Sequence, residues 1–335
     1  MGFGSFAAFT QWYLYGRRHF TATGWRRASA KHTVAVETMD LTGKCFCVTG
    51  ANSGIGFCLS EYLAGRGARL YMVCRNAERA ERARRDVIAK SGNQNVFTLI
   101  ADVGLSSDVR TLFQELSVRE RALDGLVCNA GALVSERKLT SEGFESTFAT
   151  HLLCGCYLAT QLALPLLRAS SDPRVVYVSS GGAMLTPFPS WEVAARAEAP
   201  PGQSKPFQFD GNNAYTYAKR GQILLAERLA RDMPFPKVPI VSCHPGWVDT
   251  PGVDAAFGSR KSMLDPMRTL WQGTEGIAWL ASAPGTELRS GEFYLDRAVA
   301  PQHMAGPFFS EGSHTKNSEA EVDELMRRLA ESVGA

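Results

Sequence analysis

The sequence lacks an excess of charge of either sign: 36 Lys+Arg stand against 33 Asp+Glu, and the formal net charge over 335 residues is +3. That balance leaves no broad basic surface to neutralise a phosphate backbone, so nucleic acid is not an expected partner. A metal or redox cysteine motif is also missing. The eight cysteines, at 45, 47, 58, 74, 128, 154, 156 and 243, give two C-x-C pairs but no C-x-x-C. No paired histidines complete a ligand set. Most of these cysteines sit in apolar runs and read as reduced core residues, so a reducing compartment and no metal are expected. Hydrophobic residues at 45% and charged residues at 21% exclude a chiefly disordered chain. The length suits one α/β domain of about 250 residues with terminal extensions and, equally, two smaller domains.

A further absence is local. Residues 1–36 contain no Asp or Glu, whereas Arg17, Arg18, Arg26, Arg27 and Lys31 are basic. Ahead of Arg17 the aromatics Phe3, Phe6, Phe9 and Tyr13 recur at helical spacing beside Trp12 and Tyr15, which predicts an amphipathic or interfacial helix. The uncharged run ends at Gly16 and includes Ser5, Thr10 and Gln11, short of the roughly 20 apolar residues a transmembrane helix needs. Basic residues follow the run rather than precede it, which argues against a secretory signal. Phe6 stands where a myristoylation motif wants Ser or Thr. Three readings stay open for the arm at residues 1–40: a mitochondrial presequence, a segment lying on a membrane surface, or a structural arm packed on the domain. The expected location is accordingly mitochondrial or at a membrane surface, with the cytoplasm as the alternative.

From Lys44 onward short apolar runs alternate with longer amphipathic segments, the pattern of βαβ units. Strands are predicted near 44–49, 69–74, 95–101, 124–128, 174–179, 238–243 and 291–295. Helices are predicted over 54–66, 77–90, 106–120, 142–168, 213–232 and 270–282. This gives an α/β, Rossmann-type doubly wound parallel sheet of about seven strands with helices on both faces. Residues 41–298 form the one domain, and 299–335 a linker ending in a short helix near 318–331.

Chemistry enters at the end of the first strand, where Thr49-Gly50-Ala51-Asn52-Ser53-Gly54-Ile55-Gly56 opens a helix. Gly50 permits the turn, Gly54 lets backbone approach a pyrophosphate, and Gly56 allows close packing of helix on sheet. Asn52, Ser53 and Ile55 belong to the same phosphate turn, at a helix start that offers free N–H groups. The second strand ends in Arg75 rather than an acid, a residue that can fork onto a ribose 2′-phosphate, so NADP is expected over NAD. Asp102-Val103 closes the third strand, with Asp102 either accepting the adenine amino group or capping a helix. In Asn129-Ala130-Gly131 the small residues permit approach to a cofactor ribose, and the Asn129 amide can tie neighbouring strands together.

Arg174–Val178 precedes the paired hydroxyls Ser179 and Ser180, and Tyr215 lies four residues before Lys219 at the start of an amphipathic helix. That spacing stacks phenol and ammonium on one helix face, where the charge is expected to lower the phenol's pKa. With these motifs in this order, followed by Pro245-Gly246-Trp247-Val248-Asp249-Thr250, the chain resembles the short-chain dehydrogenase/reductase family over residues 41–298. The resemblance implies that Tyr215 exchanges a proton with the substrate oxygen and that Lys219 lowers its pKa and holds the nicotinamide ribose. It further implies that Ser180, with Ser179 as fallback, hydrogen-bonds the substrate carbonyl. Pro245, Gly246, Trp247 and Thr250 would hold the nicotinamide end.

Two departures from the family stand out. His151 occupies the position of the family's proton-relay Asn, whose carbonyl holds a water linking Lys to bulk solvent; imidazole can replace that link, break it, or merely fill space. Cys128 replaces a first Asn, a change expected to alter packing more than chemistry.

Between Ser180 and Tyr215 an insertion near 181–212 carries Met184, Leu185, Phe188, Trp191, Val193, Phe207 and Phe209. It is either an apolar lid or a loop packing its own aromatics; with Trp247 and Phe257 nearby, a lipophilic aldehyde, ketone or alcohol is the expected substrate. The implied activity is NADP(H)-dependent hydride transfer between a carbonyl and its alcohol. The alternatives are an NADP-binding scaffold with little turnover and, third, a nucleotide-sugar epimerase, which lacks room here for its substrate domain. Family members often pair through the two long helices after the fourth and fifth strands. A homodimer is therefore implied, although Leu158, Leu162, Leu166, Ile223, Leu224 and Leu225 could equally serve the core.

Overall fold

The computed structural model describes residues 3–131, 133–200, 202, 207–233, 238–250, 253–254, 258–304 and 315–334, and the side chains of all but 3–7, 259 and 260 among them. The chain opens with two helices, α1 (Phe3–His19) and α2 (Ala22–Ser29), the second capped by the Thr21 hydroxyl, which accepts from the Gly24 N–H at 3.2 Å. The alternating region then folds as its apolar periodicity predicts. Strands β1 (Cys45–Thr49), β2 (Arg69–Cys74), β3 (Val96–Ile100), β4 (Gly125–Cys128), β5 (Arg174–Val178), β6 (Ile240–Cys243) and β7 (Phe293–Leu295) are parallel neighbours in the order β3-β2-β1-β4-β5-β6-β7.

Side chains alternate across this sheet with the period of two that a pleated strand imposes. Cys45 and Cys47 of β1 face one core with Tyr71, Val73, Val175 and Tyr177, while Phe46 and Val48 face the other with Leu70, Met72, Val176 and Val178. Helices α3 (Gly54–Gly65), α4 (Ala77–Ser91) and, later in the chain, α8 (Leu270–Ser282) cover the second face. The first face is covered by α5 (Ser106–Arg119), α6 (Ser146–Ala169), α7 (Gly211–Asp232) and the final α9 (Glu319–Val333). Seven of the cysteines are buried in these cores and Cys58 is half-buried, all as free thiols.

Among the described residues the sheet has eight strands, one more than predicted. The extra strand, β8 (Ala298–Val299), runs antiparallel to β7, with Leu295 opposite Ala298. The two-residue turn between them puts Asp296 at φ 50° and Arg297 at φ 66°, both left-handed. Such turns normally carry Asn-Gly or Asp-Gly. Here an Asp-Arg pair adopts it because both side chains are held from outside the hairpin: Asp296 by Arg268 at 2.5 and 2.8 Å, and Arg297 by Glu275, its Nε donating at 2.7 Å.

Helix α6 starts four residues later than the predicted 142. Glu142 is drawn away to accept from the Ser106 and Ser107 N–H groups at the start of α5, and Glu145 instead caps α6, accepting from the Thr147 and Phe148 N–H groups at 3.0 and 2.8 Å. Its middle, Ala149–Leu158, is wound as a wider π-helix. Among the described residues α6 alone is long and apolar enough to cross a membrane, and 72% of its most apolar window is buried inside the fold. Leu158, Leu166, Ile223, Leu224 and Leu225 are buried and Leu162 half-buried within the single chain; α9 lays Leu325, Leu329 and Val333 into the same core as α6 and α7. Within the single chain these six side chains of α6 and α7 all pack against a core.

Candidate active site

The carboxyl ends of the parallel strands open into one cleft of about 760 Å³ where the chain order reverses about β1 and β4. At its floor, Gly50 leaves β1 at φ +66°, and a Cβ there would lie 2.8 Å from the Ala130 Cα. A Cβ on Gly56 would lie 2.3 Å from the Gly50 carbonyl oxygen. Gly54 differs: among the described residues its Cβ position has the Thr250 methyl, at 4.0 Å, as nearest neighbour, and so it faces the cleft. Ser53 precedes α3 without a side-chain capping bond, leaving the first-turn N–H groups directed at the cleft. A diphosphate fits this cradle on backbone geometry alone. Asn52 and Ile55 line it too. Asn129 sits behind as expected, its Nδ2 donating to the carbonyls of Thr49 at 3.0 Å and Gly50 at 3.3 Å.

Arg75 lies exposed in the wall at the end of β2. Beside it are two residues that sequence reasoning missed, Asn76 and Arg79, joined by the Arg79 N–H donating to Asn76 Oδ1 at 2.9 Å. The A-E-R helix start gave no signal for Arg79, which reaches the cleft only because Asn76 caps α4 next to Arg75. Asp102 and Val103 line the next stretch. Asp102 does not cap a helix; its Oδ1 accepts from the Gly104 N–H at 2.9 Å in a local turn, and Leu105 occupies the cap position of α5. Ala130, Gly131, Pro245, Gly246, Trp247 and Thr250 complete this half, so the cleft gathers the predicted binding positions, with Gly56 packed just beneath.

Ser180, Tyr215 and Lys219 meet where that half ends. The two serines divide their work: Ser179 Oγ donates to the Lys219 carbonyl at 2.8 Å and is buried, whereas Ser180 Oγ faces the Tyr215 phenol and accepts from the Gly182 N–H at 3.3 Å. Ser179 is thus spent on structure.

The expected lowering of the phenol pKa is corrected here. Burial pushes Tyr215 above the ordinary tyrosine value, and only the Ser180 hydrogen bond pulls it back. Lys219, 3% exposed, is itself lowered by burial to about 8, and its Nζ donates to the Val178 carbonyl at 2.7 Å rather than to the phenol. The four-residue spacing does bring ammonium and ring together, at 5.4 Å from nitrogen to ring centroid.

His151 stands edge-on to the Tyr215 ring, with centroids 5.4 Å apart, and packs so tightly on Gly131 that a Cβ there would lie 2.2 Å from Cε1. Its backbone carbonyl accepts from Gln222 Nε2 at 2.9 Å. Cys128 is buried beside Cys156 in the core, a packing role as expected.

Among the described residues of the insertion, Met184, Phe188 and Trp191 are buried in the fold. Phe188 and Trp191 turn into the core, Trp191 edge-on against Phe144 and Phe148, and Asn317 pins Phe188 by two hydrogen bonds of 2.8 Å to its backbone. Of the insertion residues named above, Leu185 borders the cleft, while Phe257 lies outside the described residues. The aromatic wall comes from α1: Phe9, Trp12 and Tyr13.

Beneath that wall is a buried ion pair, also missed in sequence because its partners are far apart in the chain. Arg268, 1% exposed, binds Asp296 and donates to the carbonyls of Phe20 at 2.9 Å and His19 at 2.7 Å. His244 is buried next to it and held neutral, its pKa far below the usual histidine range through burial and the nearby Arg268 and Lys219 charges.

Comparison with known proteins accords with this geometry. The family model described as short chain dehydrogenase matches residues 44–193. Dehydrogenase/reductase SDR family member 12 from Bos taurus is 38% identical over 322 residues, covering 96% of each chain. Retinol dehydrogenase 11 from Homo sapiens is 31% identical, covering 80% of this chain and 81% of its own length. Among solved structures, the angucycline C-6 ketoreductase LanV with bound NADP superposes with a TM-score of 0.59 at 24% identity, covering 76% of this chain and 94% of its own. With a Rossmann-type sheet, a glycine cradle and a Ser-Tyr-Lys cluster at one cleft, the chain belongs to the short-chain dehydrogenase/reductase family of nicotinamide-dependent oxidoreductases.

Proposed function

We propose that the protein is an NADP(H)-dependent oxidoreductase that interconverts a lipophilic carbonyl compound and its alcohol. One observation carries this reading: Ser180, Tyr215 and Lys219 stand at the junction between the glycine cradle and an aromatic, uncharged end of the same cleft. A nicotinamide bound in the cleft would supply or accept the hydride. Ser180 Oγ donates a hydrogen bond to the substrate oxygen and stabilises the negative charge that develops there. Tyr215 Oη delivers the proton. Its raised pKa keeps the phenol protonated at neutral pH, the form needed for reduction. Lys219, with a pKa near 8, exchanges protons readily in the same range and holds the nicotinamide ribose.

Arg75, with Arg79 beside it, supports a 2′-phosphate on the cofactor, because a guanidinium matches the phosphate oxygens and no acid lies at that strand end. A second reading, an NADP(H)-binding scaffold with little turnover, draws on His151, which stands at the position of the family's proton-relay Asn with its carbonyl accepting from Gln222. The two are separated by following NADPH absorbance with the purified full chain and a panel of apolar aldehydes and ketones. Steady oxidation of NADPH with at least one compound is expected; cofactor binding without turnover across the panel would favour the scaffold.

A further inference from the structure

The arm that sequence leaves with three readings supplies an inner surface of the cleft. On α1, Phe9, Trp12, Tyr13 and Gly16 follow the i, i+3, i+4, i+7 spacing and share one helix face, which Phe20 continues just beyond the helix. Phe20 is fully buried against His244 and Trp247, with ring centroids 4.3 and 5.6 Å away. Gly16 lies so close to Trp247 that a Cβ would sit 2.5 Å from the indole ring, so helix and loop meet backbone to ring. Trp12 Nε1 donates to the Gly181 carbonyl at 2.7 Å, one residue from Ser180, and Tyr13 Oη donates to the Met263 carbonyl at 2.9 Å. Phe9 is left 39% exposed, stacked on Tyr13 at 6.5 Å and bordering the cleft.

Around this end of the cleft, beyond Tyr215, the lining includes Phe9, Trp12, Tyr13, Leu185, Met263 and Leu264, with Asn212 and Thr216 as uncharged polar neighbours of Tyr215. Among the described residues, the charged side chains of the cleft are Arg75, Arg79, Asp102 and Lys219, and all belong to the cofactor half or the Ser-Tyr-Lys cluster. A substrate carrying a phosphate or carboxylate would meet no counter-ion in this lining, and the cost of desolvating its charge would go unrecovered. An alkyl chain or fused apolar ring would meet matching surface.

Resting on the oxidoreductase reading above, we propose that α1 is the substrate-selecting wall of the site. Phe9, Trp12 and Tyr13 grip the apolar body of an uncharged carbonyl or alcohol whose oxygen lies at Tyr215. The arm is thereby a specificity element as well as a structural one.

The test uses the full chain saturated with NADPH and decan-1-ol as probe, followed by quenching of tryptophan fluorescence, together with kcat/KM for decanal relative to butanal. Phe9→Ala is the first variant, because Phe9 is part-exposed and its removal spares the fold. Decan-1-ol affinity is expected to fall about tenfold, with the decanal-to-butanal ratio falling alongside. Phe9→Asp, which puts a charge into the wall, is expected to cost more, and NADPH affinity should stay at the wild-type value in both.

Unchanged decan-1-ol affinity in both variants would overturn the wall, as would failure of the wild-type complex to bind decan-1-ol. Loss of NADPH affinity in Phe9→Ala would also overturn it, by showing that the arm serves the fold alone. If decan-1-ol binds and Phe9→Ala weakens it while the wild type reduces neither aldehyde, the wall stands and the turnover reading fails.

Discussion

Tyr215→Phe is expected to lower NADPH-dependent carbonyl reduction by about 10²- to 10⁴-fold while NADPH affinity stays essentially unchanged. The substitution removes one oxygen and keeps the ring that packs edge-on against His151, so the cleft keeps its shape. What is lost is the proton donor and the partner of the Ser180 hydroxyl. Because burial raises the phenol pKa and lowers that of Lys219, the wild type should reduce carbonyls at a constant rate through neutral pH, slow first as Lys219 loses its proton near pH 8, and slow further as the phenol ionises at more alkaline pH. Alcohol oxidation, which needs the phenolate, should climb with pH over the same span. Wild-type turnover in Tyr215→Phe would remove Tyr215 from the chemistry, and an oxidation rate that falls with rising pH would contradict the direction of its shift.

Arg268→Met should cost the fold about 3–5 kcal/mol, read as a lower midpoint in urea unfolding with an unchanged slope. The guanidinium is buried, paired with a largely buried Asp296, and donates to two backbone carbonyls of the arm, those of His19 and Phe20. Methionine fills the volume but leaves the Asp296 carboxylate unpaired and both arm carbonyls without this donor. Asp296 also sits at positive φ in the turn to β8, so the hairpin loses the contact that holds an Asp-Arg pair in a conformation suited to glycine. The loss should reach the site, because the same residue docks the end of α1 beside Trp247. A destabilisation below about 1 kcal/mol, the range of an exposed pair, would show that the ion pair is not what anchors the arm.

The sheet was legible in the sequence because each central strand is buried on both faces and therefore reads as an unbroken apolar run, such as Leu70–Cys74 or Val175–Val178. The glycine cradle and the Tyr215–Lys219 pair were legible because their geometry is local: a turn, a helix start, one helical repeat. Strand β8 was not, since Asp296-Arg297 carries no turn signal and owes its conformation to Arg268 and Glu275 elsewhere in the chain. The sign of the Tyr215 shift escaped for a related reason. Spacing puts the ammonium near the phenol, but burial of both groups and the pull of the Val178 carbonyl on Lys219 are properties of the packed site. Likewise, helical spacing of aromatics announced α1 as amphipathic without saying that its apolar face meets Trp247 and the cleft.

The most direct measurement is titration of the purified protein with NADPH and with NADH at fixed pH and salt, following quenching of its tryptophans, of which Trp12 and Trp247 line the cleft. Tight NADPH binding and much weaker NADH binding, with the preference lost in Arg75→Ala, is the result predicted by the cradle and the guanidinium beside it. Equal affinity for the two would contradict the role of Arg75, and binding of neither would contradict the account of the cleft itself.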